Sequence, residues 1–178
     1  MQYIKSTTLF LLILFAASCA PVSKKNAKTC FLESYLNSEV EMLNKSDKVL
    51  QKAIYYEGKM NDTLLAQPIW KNEMKLFYSN LPDSQELISK YKLTKDSFNN
   101  RYKEQYVQVI EDKSMKTIEL LFIDMKIISV RMNVKSLDNL SSQEMSLNYN
   151  AQKSISTSGD FALLNGKKKE YEIFGEIK

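Results

Sequence analysis

The side chains that could carry chemistry in this chain are carboxylates, lysines, tyrosines and serines, because the sequence contains no histidine. Histidine is the commonest general base near neutral pH and the commonest metal ligand. Its absence excludes histidine-dependent catalytic triads and histidine-containing zinc sites. The four glycines form no phosphate-binding loop, so the usual nucleotide-binding motifs are also excluded. We therefore predict a protein that is not an enzyme and that binds no metal, cofactor or nucleotide.

Three carboxylates of the last predicted strand share one face by parity, namely Glu170, Glu172 and Glu176. A pair of carboxylates can perform acid–base catalysis when an apolar environment raises the pKa of one of them. On the polar face of an edge strand such groups are normally solvated, and we interpret them so. The sequence thus predicts no catalytic residue.

Apolar side chains in the middle of the chain define a candidate ligand pocket. Trp70, Met74 and Phe77 fall on one face of a predicted helix. Methionine and aromatic side chains suit adaptable apolar pockets, and Met132 and Leu147 of the predicted strands would face the same space. Such a stripe indicates burial, and a filled helix-to-sheet core is the favoured interpretation. The stripe itself does not distinguish filled space from empty space.

The N-terminal segment has the pattern of a secretory signal peptide. Lys5 precedes an apolar run from Leu9 to Ala17, and small residues lead directly into Cys19. A membrane-spanning helix needs roughly 20 apolar residues. This run is about half that length, so we predict cleavage rather than a permanent membrane span.

Residues 1–19 resemble the signal of bacterial lipoproteins, with Ala16, Ala17 and Ser18 at the small positions and Cys19 at the modified position. The resemblance implies that a diacylglycerol is attached to the Cys19 thiol, that the chain is cut between Ser18 and Cys19, and that the new amine is acylated, with palmitate among the acyl groups. Each buried methylene contributes about 0.8 kcal/mol, so two or three chains anchor a protein firmly. No aspartate follows Cys19, which by the enterobacterial sorting rule favours the outer membrane, facing the periplasm. An ordinary signal peptide with an unmodified Cys19 is the alternative.

The chain accordingly divides into a cleaved signal peptide (residues 1–18), a lipidated flexible tether (residues 19–28) and a single domain (residues 29–178). Once Cys19 is lipidated, Cys30 is the only other cysteine, which excludes an internal disulfide. The 25 basic and 21 acidic residues give a net charge of +4, and removal of Lys5 with the signal lowers it to +3. So small an excess does not favour nucleic-acid binding.

Hydrophobic patterning predicts an α+β fold. An N-terminal helix (residues 29–45), a β-hairpin (residues 49–65) and one or two helices up to residue 91 come first, with a capping box at residues 83–86. About six strands follow, and the clearest is the alternating segment 127–135. Short polar turns predict an antiparallel meander with the helices packed on one face.

In the order and spacing of these elements, residues 30–178 resemble small, uncharacterised lipoproteins of Bacteroidota that end in a strand like Glu-Tyr-Glu-Ile-x-Gly-Glu-Ile, found here at residues 170–177. The resemblance implies no known activity. The favoured function is a non-enzymatic accessory or binding module of the cell envelope, held to the membrane by its N-terminal lipid and contacting another envelope protein. The alternative is a lipid or lipopeptide carrier, with a hydrophobic trough under a helical lid.

Overall fold

A computed structural model of the chain describes residues 31–109, 114–137, 141–163, 166 and 168–178. The elements in chain order are α1 (Phe31–Asn44), β1 (Leu50–Tyr56), β2 (Lys59–Leu65), α2 (Trp70–Glu73), α3 (Lys75–Asn80), α4 (Ser84–Lys90), β3 (Tyr91–Phe98), β4 (Arg101–Gln108), β5 (Ser114–Ile123), β6 (Lys126–Leu137), β7 (Ser141–Asn150), β8 (Ser154–Leu163) and β9 (Lys169–Ile177).

The strands in the described part of the chain form one antiparallel sheet in the order β2-β1-β9-β8-β7-β6-β5-β4-β3. Strands β3 to β9 pair in sequence, because short turns can join only antiparallel neighbours. The β1–β2 hairpin joins the far side of this meander by pairing β1 with β9. Two backbone hydrogen bonds between Val49 and Lys178, of 3.1 and 3.0 Å, extend that pairing to the end of the chain.

The prediction of an α+β fold with a meander of about six strands is wrong, because nine strands form a single open sheet over the described residues. Two errors account for the difference. The hairpin was not counted among the strands of the meander, whereas β1 continues the sheet beside β9. Strand β3 was not predicted at all, since Lys92, Thr94 and Asp96 leave an edge strand with only a weak apolar alternation.

Helix α1 crosses one face of the sheet diagonally. The Phe31 ring lies 6.3 Å from the ring of Tyr106 on β4, and the Tyr35 hydroxyl donates a hydrogen bond of 3.3 Å to the Ile127 carbonyl on β6. Further along, Glu39 reaches Tyr149 on β7. The buried stripe of the helix, which spacings of four, four and three place on one side, is Leu32, Leu36, Val40 and Leu43.

The short helices α2, α3 and α4 complete the layer on the same face. Phe77 of α3 packs edge-on against Tyr149, with ring centroids 6.5 Å apart. Helix α4 begins with the predicted capping box, which is confirmed: the Glu86 N–H donates to Asp83 Oδ1 at 2.7 Å, and the Glu86 carboxylate accepts from the Asp83 N–H at 3.4 Å. The helices therefore cover one face, and we call the opposite side of the sheet the polar face.

Candidate functional site

The predicted lipidation and cleavage residues, Ser18 and Cys19, lie outside the described residues, as do the tether 19–28 and Cys30. Within the described ranges, no helix combines the length and the hydrophobicity needed to cross a membrane.

The five predicted pocket residues come together, but as part of the hydrophobic core. Each of them is at most 2% exposed and belongs to one cluster between helices and sheet. Met132 of β6 is the direct cross-strand partner of Leu147 on β7, beneath the helices. The cavities described below include none of the five side chains. The five side chains are thus buried together in the layer between helices and sheet.

The polar face presents rows of hydrogen-bonding side chains that run across the strands. In an antiparallel sheet, residues paired in register point to the same side. Thr117, Asn133, Ser146 and Ser158 are successive partners on β5, β6, β7 and β8. Asn133 donates to the Thr117 hydroxyl at 3.2 Å, and Ser146 donates to the Asn133 side-chain oxygen at 2.9 Å. This first row is thus an ordered line of polar groups.

A second row lies on the same face, two residues further along each strand. Gln105 donates to Glu119 at 2.9 Å, and the Arg131 guanidinium donates to Asn148 at 2.6 Å while its Nη1 lies 3.9 Å from Glu119. Asn148 in turn donates to the Ser156 hydroxyl at 3.4 Å. The two rows cover five adjacent strands, from β4 to β8. Sequence analysis did not identify them, because the alternation of polar residues is visible in each strand but the register between strands is not.

Two open cavities at one end of the polar face share Ser158, Gly159 and Asp160. The first, of about 460 Å³, extends to Met115, and the second, of about 690 Å³, extends to Tyr55. A Cβ atom at Gly159 would lie 2.4 Å from the Glu144 carbonyl oxygen, so this position has no room for a side chain. Because Gly159 has no side chain, the backbones of β7 and β8 and the Tyr171 ring on β9 can pack closely.

Charged groups around these cavities are held in ion pairs. Lys135 pairs with Glu144, and Lys168 lies 3.1 Å from Asp160. The hydrogen bond from Lys135 holds the pKa of Glu144 below its usual range, and the bond to Asp160 raises the pKa of Lys168. Both shifts favour the charged forms at neutral pH. Such groups can bind a polar partner, but they are poorly suited to exchange protons with a substrate.

Two buried carboxylates lie on the helix-covered side, and sequence analysis missed both. The Tyr149 hydroxyl donates to Glu39 at 2.6 Å and accepts from the Gln152 N–H at 3.1 Å. Burial, together with the Glu39 hydrogen bond, raises the pKa of Tyr149, and burial and the Glu39 charge raise the pKa of Tyr35. Because α1 covers this cluster, its arrangement fits a structural role. The only sequence signal was a glutamate within the apolar stripe.

The second buried carboxylate, Glu104 of β4, is also fully engaged. It accepts a hydrogen bond of 2.8 Å from the Tyr106 hydroxyl and lies 2.6 Å from the Lys95 ammonium on the edge strand β3. The hydrogen bond to Glu104 raises the pKa of Lys95, which keeps that lysine charged. This cluster ties the edge strand to its neighbour.

The three carboxylates of the last strand, Glu170, Glu172 and Glu176, are exposed on the polar face. The sequence analysis placed them on an edge strand. That expectation is wrong, because β9 lies between β1 and β8. Glu170 and Glu176 lie 3.5 and 3.4 Å from lysine ammonium groups. Among the described residues no set of three acidic or cysteine side chains is arranged to hold a metal ion.

Comparison with protein-family models, with curated proteins and with solved structures finds no match for this chain. The chemistry of the polar face is therefore the main guide to its role.

Proposed function

We propose that this protein is a lipid-anchored, non-enzymatic binding module of the cell envelope, which contacts another envelope protein through the polar face of its sheet. The lipoprotein-type signal that ends at Cys19 supports the anchor, with acyl groups such as palmitate on the cysteine. The missing aspartate after Cys19 supports the outer membrane, with the domain facing the periplasm.

The observation that carries the binding role is the order of the polar face, which none of the described helices covers. Nine strands at about 4.8 Å spacing give a width of roughly 38 Å, and strands of about ten residues are roughly 33 Å long. The resulting area, on the order of 1,200 Å², exceeds the roughly 800 Å² that each partner contributes to a typical stable interface. Side chains already fixed by cross-strand hydrogen bonds lose less conformational entropy when a partner binds.

Serine, threonine, asparagine and paired charged groups also suit a protein partner that is itself polar.

The alternative of a lipid carrier would need a cavity among Trp70, Met74, Phe77, Met132 and Leu147. Those side chains are packed in the core, so no observation at these residues favours the carrier.

The binding role can be tested by crosslinking and affinity capture from the native envelope. Ser146→Arg and Ser158→Arg place a long charged side chain in the first polar row and should abolish capture of the partner. Ser79→Arg is the matched control, because Ser79 lies exposed on α3, away from the polar face. Equal capture by all three variants and the wild type would rule out the polar face as the contact surface.

The anchor can be tested separately by fractionation. We expect Cys19→Ala to remain in the soluble periplasm and to incorporate no labelled palmitate, whereas the wild type is labelled and fractionates with the membrane. Unchanged membrane association of Cys19→Ala would contradict the proposed anchor.

A further inference from the structure

Strand β2 forms one edge of the sheet and, in the described part of the chain, pairs only with β1. The two residues of the turn between them, Glu57 and Gly58, both have positive φ, at 49° and 78°, as in the tight turns of two-residue hairpins. In such a hairpin the pair of residues next to the turn is hydrogen-bonded, and so is every second pair beyond it. The outward-facing backbone groups of β2 are therefore those of Met60, Asp62 and Leu64.

The other side of β1 shows the same alternation. Val49 exchanges two backbone hydrogen bonds with Lys178, so the odd-numbered residues of this strand face β9. The even-numbered residues face β2 and pair there with its odd-numbered residues. The edge thus presents three N–H donors and three C=O acceptors, spaced roughly 7 Å apart. No proline or register shift interrupts it, and a regular open edge of this kind is a template for a further strand.

The side chains of the outward-facing residues lie on the polar face. Asp62 pairs with Ala53 of β1, which pairs with Phe174 of β9. Phe174 in turn pairs with Ser156, a member of the second polar row. Residues paired in register point to the same side, so Asp62 continues that row to the edge of the sheet.

These side chains define the sequence that would fit beside β2. Met60 and Leu64, on either side of Asp62, are 54% and 64% exposed. Within the described ranges, Asp62 has no ion-pair partner. Side chains directly opposite each other in an antiparallel pair interact, and opposite charges there are stabilising. The best match is a strand with lysine or arginine opposite Asp62 and apolar residues opposite Met60 and Leu64.

Two copies of β2 fit each other poorly. The antiparallel register that pairs all three outward-facing residues sets Met60 opposite Leu64, but it also sets Asp62 opposite Asp62 of the other copy. Like charges directly opposite each other are destabilising. Charge complementarity therefore favours a basic segment of a different protein.

The lysines of the tether cannot supply this segment within the same chain. The Phe31 ring lies beside Tyr106 on β4, seven strand spacings or roughly 34 Å from β2. Lys24 precedes Phe31 by seven residues, which span at most about 25 Å. The other two tether lysines are nearer to Phe31 in sequence, so their reach is shorter still.

We propose that β2 binds an extended segment of the partner protein by strand addition, antiparallel to residues 60–64, with a basic residue opposite Asp62 and an apolar residue two positions to either side. The segment extends the sheet beyond β2 and continues its polar face. That the segment comes from an envelope protein rests on the proposed function, whereas the strand addition is independent of the lipid anchor.

Titration of the full chain in detergent with a labelled synthetic peptide tests the strand addition. The peptide Thr-Val-Thr-Lys-Thr-Val-Thr places valine, lysine and valine on one side, and its matched control has glutamate in place of lysine. We expect the lysine peptide to bind more tightly and to slow hydrogen exchange at the Met60, Asp62 and Leu64 N–H groups, as measured by NMR. Absence of binding, equal binding of both peptides, or slowed exchange only elsewhere in the sheet would overturn the proposal.

Two variants locate the contact. Asp62→Lys should weaken the lysine peptide and strengthen the glutamate peptide, each by roughly fivefold, the size of one cross-strand charge pair. Leu64→Pro removes an outward N–H and should weaken the lysine peptide at least as much. Ser97→Pro is the matched control, because β3 is the opposite edge and the pairing of Phe98 with Arg101 across a two-residue turn points the Ser97 N–H outward. An unchanged preference in Asp62→Lys, or equal losses in both proline variants, would contradict the assignment.

Capture from the native envelope separates this inference from the proposed function. We expect Leu64→Pro to lose the partner, as Ser146→Arg does, and Ser97→Pro to retain it. Normal capture by Leu64→Pro together with loss in Ser146→Arg would overturn strand addition by the partner and leave the polar face as the contact surface. Peptide binding at β2 with normal capture by Ser146→Arg would count against the polar face alone.

Discussion

Removal of one hydroxyl, in Tyr149→Phe, should destabilise the domain strongly. The change deletes the 2.6 Å hydrogen bond to Glu39 and the acceptor of the Gln152 N–H. A hydrogen bond to a charged group contributes about 1.5–3 kcal/mol, and a buried group left without a partner adds its own desolvation cost. Glu39 is only 6% exposed, so water cannot easily replace the tyrosine. We expect the free energy of unfolding to fall by about 2–4 kcal/mol.

Urea unfolding followed by circular dichroism measures this loss, with Tyr78→Phe as the matched control. The Tyr78 hydroxyl donates to Asn37 at 2.9 Å in an exposed setting, so its removal should cost less than about 1 kcal/mol. The double variant Glu39→Leu/Tyr149→Phe should lose less than the sum of the two single changes, because no buried charge is left without a partner. Equal losses for Tyr149→Phe and Tyr78→Phe would refute the argument.

The same cluster predicts a dependence on alkaline pH, and three further substitutions test other parts of the fold. Burial raises the pKa of Tyr149 in the folded state, so the stability that its protonated hydroxyl contributes is complete below the unfolded pKa of about 10 and is lost as the pH rises. Urea titrations should therefore show less alkaline destabilisation in Tyr149→Phe than in the wild type. An unchanged profile would contradict this. Gly159→Ala should lower the free energy of unfolding more than Gly175→Ala in the same assay. The new Cβ would lie 2.4 Å from the Glu144 backbone oxygen at position 159, but 2.8 Å from the movable Leu50 side chain at position 175. The reverse order would be inconsistent with the close packing of β7 and β8. Asp83→Ala should lower the free energy of unfolding by about 0.5–2 kcal/mol through loss of the cap, and no change would mean that the capping bonds contribute nothing. Phe77→Ala should lower it by about 3–5 kcal/mol if its neighbourhood is filled core, whereas a small loss would indicate an empty pocket.

Periodicity in the sequence was most informative where an element has one covered and one open face. Segment 127–135 lies within β6, where Val130 and Met132 are buried and Arg131 is exposed. The same reasoning missed β3, since an edge strand buries too little to impose an alternation. It also gave no sign that Glu39 of α1 is buried among apolar neighbours.

The candidate surface could not be predicted, because it depends on register. Tyr149 and Glu39 are 110 residues apart in sequence, and the residues around each of them do not indicate that the two side chains form a hydrogen bond. Asn133 and Ser146 likewise become neighbours only once β6 and β7 are aligned. The residue types thus exclude histidine-dependent catalysis and zinc sites, whereas the polar rows can be identified only from the three-dimensional arrangement of the strands.

Mass spectrometry of the N-terminal peptide, purified from the native envelope, tests the central claim most directly. The account predicts a mature chain that begins at Cys19, with a diacylglycerol on its thiol and a further acyl group on its amine. A mature chain that begins elsewhere, or an unmodified Cys19, would contradict the lipid anchor on which the proposed orientation and function depend.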